Sequence, residues 1–357
     1  MAKKIKKKSR DHERVAFLNK LRLVAPALSD SDLIPALRHF WFTGETLMAF
    51  NDRIAISTPF ATNFQGAIAG DILLNMMGAS RGGIEFNQAG ETLEVRVGPS
   101  RMKFHLLPPE SFVFEMPVPD AAKAFPVGKQ FLESVSTCML SVSLDTSVPD
   151  QLGVTLIPNG KEVLLFTTNN STLTHARVPL MKATTINRVI LPTQFCEEML
   201  KLAKKDLQLE IYDDHALFVS GDTILFGRLI ESSKPLDFPN LLKRNFPDER
   251  RKQLIAMPDH MKLALKRAVI ITESRVDKTK TAVTVNAENK LKFMSKSERG
   301  ELSDTIRLKE DHAEVSVMIN PKLLEAAHPQ FDKILITERC IAMSKGGATH
   351  LVAATED

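Results

Sequence analysis

Apolar residues along this chain follow two alternating rhythms. At residues 11–24, 127–138 and 258–268 they recur at helical spacing, with Val15, Leu18 and Leu21 in the first stripe. Each stripe predicts an amphipathic helix. Each is followed by short apolar runs bounded by Gly, Asn and Pro, which predict strands and turns. Three hairpins open alike, a Gly or Asn turn leading into an apolar strand at residues 44–50, 159–166 and 288–293. Three strands run through a breaker into a second helix, at residues 67–77, 189–200 and 317–324, with Gly70, Pro192 and Pro321 at matching places. Proline suits the first turn of a helix, where its missing N–H costs no bond. A strand, turn and strand close each stretch, at residues 97–112, 219–238 and 340–352. The landmarks return roughly every 120–130 residues, the mark of a tandem repeat.

The pattern predicts an α+β protein of three modules, residues 1–120, 121–250 and 251–357. Each holds two helices and about eight strands, in the order helix, strands, helix, strands. A module of about 120 residues is a sound size for one core. Links are expected at residues 116–123, which include Pro117 and Pro119, and at 245–252, which include Pro247.

Composition adds little to this picture except by exclusion. The chain has 43% hydrophobic and 25% charged residues, ordinary for a folded protein, and 20 Phe supply bulky core side chains. No apolar run approaches the roughly 18 residues of a membrane helix, so no membrane partner is expected. The basic N-terminus lacks a following apolar stretch, so it does not read as a secretory leader, and a cytoplasmic location is expected. The net charge of +4 is concentrated: residues 1–10 carry six basic side chains and no acid, leaving −2 for the rest. A near-neutral body with a basic tail is not a generally cationic nucleic-acid binder; any such contact must use charge gathered on one surface or in the tail. Cys138, Cys196 and Cys340 lie far apart and read as reduced core thiols.

Signals for catalysis or metal binding are weak. Residues 78–83 are glycine-rich but lack the GK[ST] ending of a phosphate loop and follow a helix, so they read as a turn. The nine His show no metal-ligand spacing, and Asp213-Asp214-His215 falls at a hairpin turn. No cofactor, no metal and no enzymatic activity are expected.

The closing stretches carry a family resemblance. Val97-Gly-Pro-Ser-Arg101, with the Leu-Leu-Pro and Phe112 that follow, resembles the end of domain I in the bacterial DNA polymerase sliding clamps, the β clamps. Thr167-Thr-Asn-Asn-Ser-Thr-Leu173 stands where that family has Ala-Thr-Asp-Gly-His-Arg-Leu. Pro235-Leu-Asp-Phe-Pro239 stands where the family leaves domain II through Phe-Pro. The resemblance covers nearly the whole chain from about Arg14.

The resemblance implies a head-to-tail homodimeric ring of six modules, helices lining the hole, that encircles double-stranded DNA without reading sequence. Backbone charge alone supplies such affinity. The helices offer candidates to face DNA: Arg14, Lys20 and Arg22 on the first; Lys201, Lys204 and Lys205 on the second helix of module two; Lys262, Lys266 and Arg267 on the first helix of module three; and Lys322 on the last. Ring closure would set the edge strand bearing Met102 and Phe104 against Ile270 and Ile271 of the partner. The resemblance further implies a hydrophobic groove that captures peptides from a replicative polymerase and a clamp loader, with Thr168, Leu173, Pro239, Lys243, Leu351 and Ala353 in its wall. Here the family's Asp-Gly-His-Arg is replaced by Asn169-Asn170-Ser171-Thr172, and its Met-Pro-Met-Arg-Leu terminus by Ala353-Ala-Thr-Glu-Asp357. An altered peptide preference is therefore expected, and with it a phage or mobile-element source. The rival readings are a β-rich virion structural or assembly protein and a hydrolase whose site the sequence does not reveal.

Overall fold

Phe17, Leu18, Leu21 and Val24 are buried along one stripe of the first helix, α1 (Ala2–Val24). Val15 is 42% exposed instead, because it lies two residues, about 200° of rotation, from Phe17. The Phe17 ring meets Phe60 at 5.0 Å, Phe86 at 5.3 Å and Phe42 at 6.2 Å between centroids, fixing α1 on the sheets beneath it. The computed structural model describes residues 2–31, 33–112, 114–125, 127–181, 186–272, 281–286, 289–298 and 300–355, with side chains from residue 12 onward except at 281 and 285. The backbone is thus helical from Ala2, well before residue 11. The side chains of the basic segment 3–10, with Glu288, Glu356 and Asp357, lie outside the described residues.

The remaining elements follow the repeat. After α1 come β1 (His39–Phe42), β2 (Thr46–Phe50), β3 (Ile54–Pro59) and β4 (Gly66–Ala69). Then come α2 (Gly70–Ala79), β5 (Ile84–Ala89), β6 (Thr92–Val97) and β7 (Ser100–His105). The middle stretch opens with a short β8 (Ala124–Phe125) and α3 (Lys129–Cys138), then β9 (Gly153–Asn159), β10 (Glu162–Thr168), β11 (Thr172–Pro179) and β12 (Val189–Pro192). It closes with α4 (Thr193–Leu202), β13 (Leu207–Ile211), β14 (His215–Ser220) and β15 (Thr223–Arg228). Two short helices, α5 (Phe238–Asn245) and α6 (Asp248–Arg251), occupy what the sequence suggested was an exit and a link. The last stretch has β16 (Ile255–Ala256), α7 (Met261–Thr272), β17 (Thr281–Val285), β18 (Lys290–Ser297), β19 (Gly300–Arg307) and β20 (Val315–Ile319). It ends with α8 (Pro321–Ala327), β21 (Lys333–Ile336), β22 (Cys340–Lys345) and β23 (Ala348–Ala353).

Several boundaries differ from the sequence reading for local reasons. The left-handed backbone of His260 (φ 66°) delays α7, and Val269, Ile270 and Ile271 prolong it past residue 268. Helix α4 stops at Leu202. The Ser220 hydroxyl donates to the Leu202 carbonyl (2.7 Å) and accepts the Lys204 N–H (3.3 Å), and Asp206 turns left-handed (φ 48°). Lys204 and Lys205, expected on the helix, therefore sit in the turn beyond it. Helix α5 forms because the Asp237 carboxylate caps the Asn240 N–H (3.1 Å) and Pro239 stands in the first turn. Gly70 opens α2 where a side chain would not fit: a Cβ there would lie 2.5 Å from Leu28 Cδ1.

The chain divides into two compact units, residues 1–127 with 197–229, and residues 128–196 with 230–357; the division cuts through the middle stretch, within α4. In the first unit an eight-stranded sheet runs β4-β1-β2-β3-β15-β14-β13-β8, with a smaller sheet β5-β6-β7. In the second, an eight-stranded sheet runs β12-β9-β10-β11-β23-β22-β21-β16, with a smaller sheet β19-β18-β17-β20. Every pairing between these strands is antiparallel. Each large sheet joins two repeats. The third strand of the first repeat, β3, pairs with β15, the last of the second, with Ile224 opposite Ser57. Likewise β11, third in the main run of its repeat, pairs with β23, the last of the third, with Leu173 opposite Leu351. Helix α1 packs on β2, β3 and β5 and against α2, while α7 packs on β18 and β19 and against α8.

Candidate functional site

Thr168, Leu173, Leu351 and Ala353, four of the expected groove residues, line one cavity of ≈ 150 Å³ in the second unit. The β10–β11 turn builds one wall. The Asn169 carboxamide oxygen accepts the Ser171 and Thr172 N–H groups (3.1 and 2.8 Å) and the Thr172 hydroxyl (2.9 Å), closing an Asx turn. Asn170 takes the left-handed conformation (φ 69°). Buried Gln151 reaches it from below, its Nε2 donating to Asn170 Oδ1 at 2.7 Å. The C-terminal segment is pinned between two turns, the Ala353 N–H donating to the Ser171 carbonyl (2.9 Å) and the Ala354 N–H to the Arg339 carbonyl (2.8 Å).

Helix α5 supplies the facing wall through Leu241 and Asn245, one turn apart. Pro239 and Lys243 do not line the cavity. They stand two residues, about 200°, from Leu241 and Asn245 and are exposed on another side of the helix. Beneath the cavity Phe166, Leu173, Phe238, Leu242, Phe246 and Leu351 share one buried cluster, with the Phe166 and Phe238 rings stacked at 5.4 Å. Buried Asp150 holds the approach to α5: it accepts from Arg188, the Ser232 hydroxyl and the Leu236 N–H, while Arg188 Nη1 donates to the Leu236 carbonyl (2.9 Å). The sequence reading missed Leu241 and Asn245 because it missed α5, whose signal was Asp237 three residues before Asn240. It missed Arg339 and Cys340, in the β21–β22 turn, because no local pattern announces their approach to the groove.

Two histidines sit in the β11–β23 joint. His175 stacks on Phe166 (4.4 Å) and His350 Nδ1 lies 2.7 Å from the Thr174 hydroxyl; burial pushes each imidazole pKa down to about 4. Both rings are therefore neutral near pH 7 and serve packing.

The candidate DNA-facing cations fall into several situations. Arg14 is half-buried and its Nη1 donates to the Met77 carbonyl (3.0 Å), tying α1 to the last turn of α2. Lys20 donates to the Thr58 hydroxyl (2.7 Å), beside the β3–β15 joint. Arg22 is exposed at the end of α1. Lys201 pairs with buried Glu198 (2.6 Å), and Arg267 with Asp304 on β19 (2.6 Å). Lys262, Lys266 and Lys322 are exposed on the packed pair α7 and α8, and α7 carries no acidic residue. The charge of Lys262, after burial, helps lower the pKa of His328 just beyond α8. The structure thus gathers cations on α7 and α8 and spends Arg14 on packing.

The smaller sheets end in open edges. On β7, Arg101, Lys103 and His105 are exposed while Met102 and Phe104 turn inward, 8% and 9% exposed. On β19 every inward position is only half-buried. Ile270, at the end of α7, is 55% exposed, and Ile271 is half-buried.

The three cysteines are free and buried. Residues 80–83 form the turn between α2 and β5, and Asp213 and Asp214 lie in the β13–β14 turn, where Asp214 contacts His215 Nδ1 (2.6 Å). Among the described residues no cluster of three His, Cys, Asp or Glu could hold a metal, and no helix is long and apolar enough to cross a membrane.

No family model and no curated protein sequence matches the chain. Solved structures match it from end to end. It superposes on a putative DNA polymerase III beta subunit from Eubacterium rectale with a TM-score of 0.83 at 13% identity, covering 97% of this chain and 98% of the other. The DNA polymerase III beta chain from Streptococcus pneumoniae gives 0.82 at 16% identity, covering 97% and 98%. A DNA polymerase sliding clamp from Pseudomonas aeruginosa gives 0.81 at 15% identity, covering 96% and 98%. The chain has the sliding-clamp fold.

Proposed function

We propose that this chain is a DNA sliding clamp: a homodimeric ring, not an enzyme, that encircles duplex DNA and tethers a replicative polymerase as a processivity factor. The observation that carries the reading is the superposition on sliding clamps over 97% of this chain and 98% of the other at 13% identity. A fold kept whole through such divergence points to a function of shape rather than of a few reactive side chains. The virion-assembly alternative gains no support from the fold.

The logic of the repeat supports closure by a second copy. Within the chain, β3 is joined by β15 and β11 by β23. The strands in the corresponding places that lack a partner are β19, third in its run, and β7, last of the first repeat. Two chains head to tail would pair β7 of one with β19 of the other, and modules bounded near residues 120 and 250 would then number six. Exposed Arg101 and Lys103 on β7 would meet Glu301 and Asp304 on β19. Met102 and Phe104 would back that joint, with Ile270 and Ile271 at its side.

Arg22, Lys262, Lys266 and Lys322 are the cations best placed to meet phosphates, with Lys201, Lys204, Lys205 and Arg267 contributing once their local bonds exchange. The cavity at Leu173 and Leu351 would hold peptides of the polymerase and of a clamp loader, in the cytoplasm, or that of the host if the chain is phage-borne. Electron micrographs of the purified protein test the proposal. A ring with a particle mass near twice 39.8 kDa is expected; open monomers at micromolar concentration would contradict it.

A further inference from the structure

The groove of the second unit is apolar on its floor but one-sided in its electrostatics. Leu173, Leu241, Leu351 and Ala353 supply its hydrocarbon, and Arg339 is the charged side chain that lines it. No carboxylate lines this cavity among the described residues. Arg339 is exposed, and its guanidinium has no ion-pair partner among the described residues. Its backbone is held, however: its carbonyl accepts the Ala354 N–H (2.8 Å), and the turn behind it is closed by the Thr337 hydroxyl, which accepts the Cys340 N–H (3.1 Å). The guanidinium therefore projects from a fixed anchor.

A second donor comes from the opposite wall. Gln151, 3% exposed, ties down the Asn170 carboxamide oxygen at 2.7 Å. The other end of that carboxamide, Nδ2, is what remains for the cavity that Asn170 lines. The left-handed turn at Asn170 holds the side chain there, in a conformation that most residues other than glycine and asparagine avoid. An apolar slot flanked by a guanidinium and an amide donor is complementary to leucine-like anchors next to a carboxylate.

We propose that this groove selects an extended peptide with apolar anchors and one adjacent acidic residue, read by Arg339 with help from Asn170. This rests on the reading of the cavity as the clamp's peptide groove. Selection is for a single acid rather than an acidic run, because the charge pattern turns mixed next door. The neighbouring cavity of ≈ 870 Å³ shares Arg339 and Asn245 with the groove and carries Arg244 and Arg250, but also Asp311, Glu314 and Glu338. A second carboxylate on that side would meet these acids.

The test is fluorescence anisotropy with full-length protein and labelled heptapeptides. Each peptide carries two adjacent leucines, with aspartate, asparagine or lysine at the position before or after them. At one of the two positions the aspartate peptide should bind about tenfold tighter than its lysine counterpart, a margin that shrinks with added salt. Arg339→Glu should invert the order, and Asn170→Gly, which suits the left-handed turn, should lower aspartate affinity about threefold. Leu351→Ala should weaken all peptides alike, showing that they occupy the apolar slot. Peptides that bind equally whatever their charge, yet are weakened by Leu351→Ala, would overturn the selection while leaving the groove intact. Failure of every peptide to bind the unmodified protein would overturn the groove as well.

Discussion

The β11–β23 joint and the β7 and β19 edges hold corresponding places in the repeat, but they are built differently. In the joint, Thr172, Leu173, Thr174, His175 and Ala176 are buried in succession, opposite the almost wholly buried β23. Strands covered on both faces read as continuous apolar or small-polar runs. On β7 and β19 buried or half-buried residues alternate with exposed ones, many of them charged. Charge on an open edge discourages indiscriminate strand pairing and still permits a complementary partner. The joint is therefore committed within the chain, whereas the edges are kept soluble and selective.

The largest effect should come from breaking the committed joint. Val352, fully buried opposite Thr172, has no room for a solvated carboxylate. Val352→Asp should cost about 4 kcal/mol or more by stranding an unpaired charge. Urea unfolding followed by circular dichroism should show a lost or greatly lowered transition; an unchanged midpoint would mean the joint is not integral to the fold.

Acid should act on the same joint. Burial pushes the His175 and His350 pKa values down to about 4, from 6.5. The unfolded chain then binds protons that the folded chain refuses. Stability is whole above about pH 6.5 and falls as pH drops toward about 4, by up to about 3 kcal/mol per histidine. The urea midpoint measured across that range should decline, and His350→Gln should flatten the decline.

At the open edges the same kind of change should leave the fold alone. Ile271→Asp at the end of α7 should shift the protein from twice 39.8 kDa to 39.8 kDa by sedimentation, with a melting temperature within a few degrees of the original. A dimer that survives would place the contact elsewhere. The smallest effect is expected at the helix cations. Lys262→Gln or Lys266→Gln should each lower the salt dependence of DNA binding by about one in log–log slope, without altering sequence preference.

Much of this was legible in the chain, for reasons that particular residues show. The stripe Leu18, Leu21 and Val24 and the breakers Gly70, Pro192 and Pro321 are local signals, and they located helices and the repeat. Helix α5 was hidden because Pro235 and Pro239 read as an exit, although Pro239 serves as a first-turn residue behind the Asp237 cap. The joints β3–β15 and β11–β23 link strands more than a hundred residues apart; nothing local to Leu173 names Leu351 as its partner. For the same reason the two compact units cut across the middle repeat. Four groove residues came from the resemblance, but the helix face that completes the groove depended on a rotation that only coordinates give.

The most direct test is topological. The protein is loaded onto a nicked circular duplex by a clamp loader, and the complex is passed through a sizing column before and after a single cut linearises the DNA. A closed ring should co-elute with the circle and leave the linear form by sliding off its ends. Equal retention on both forms, or equal loss from both, would contradict encirclement.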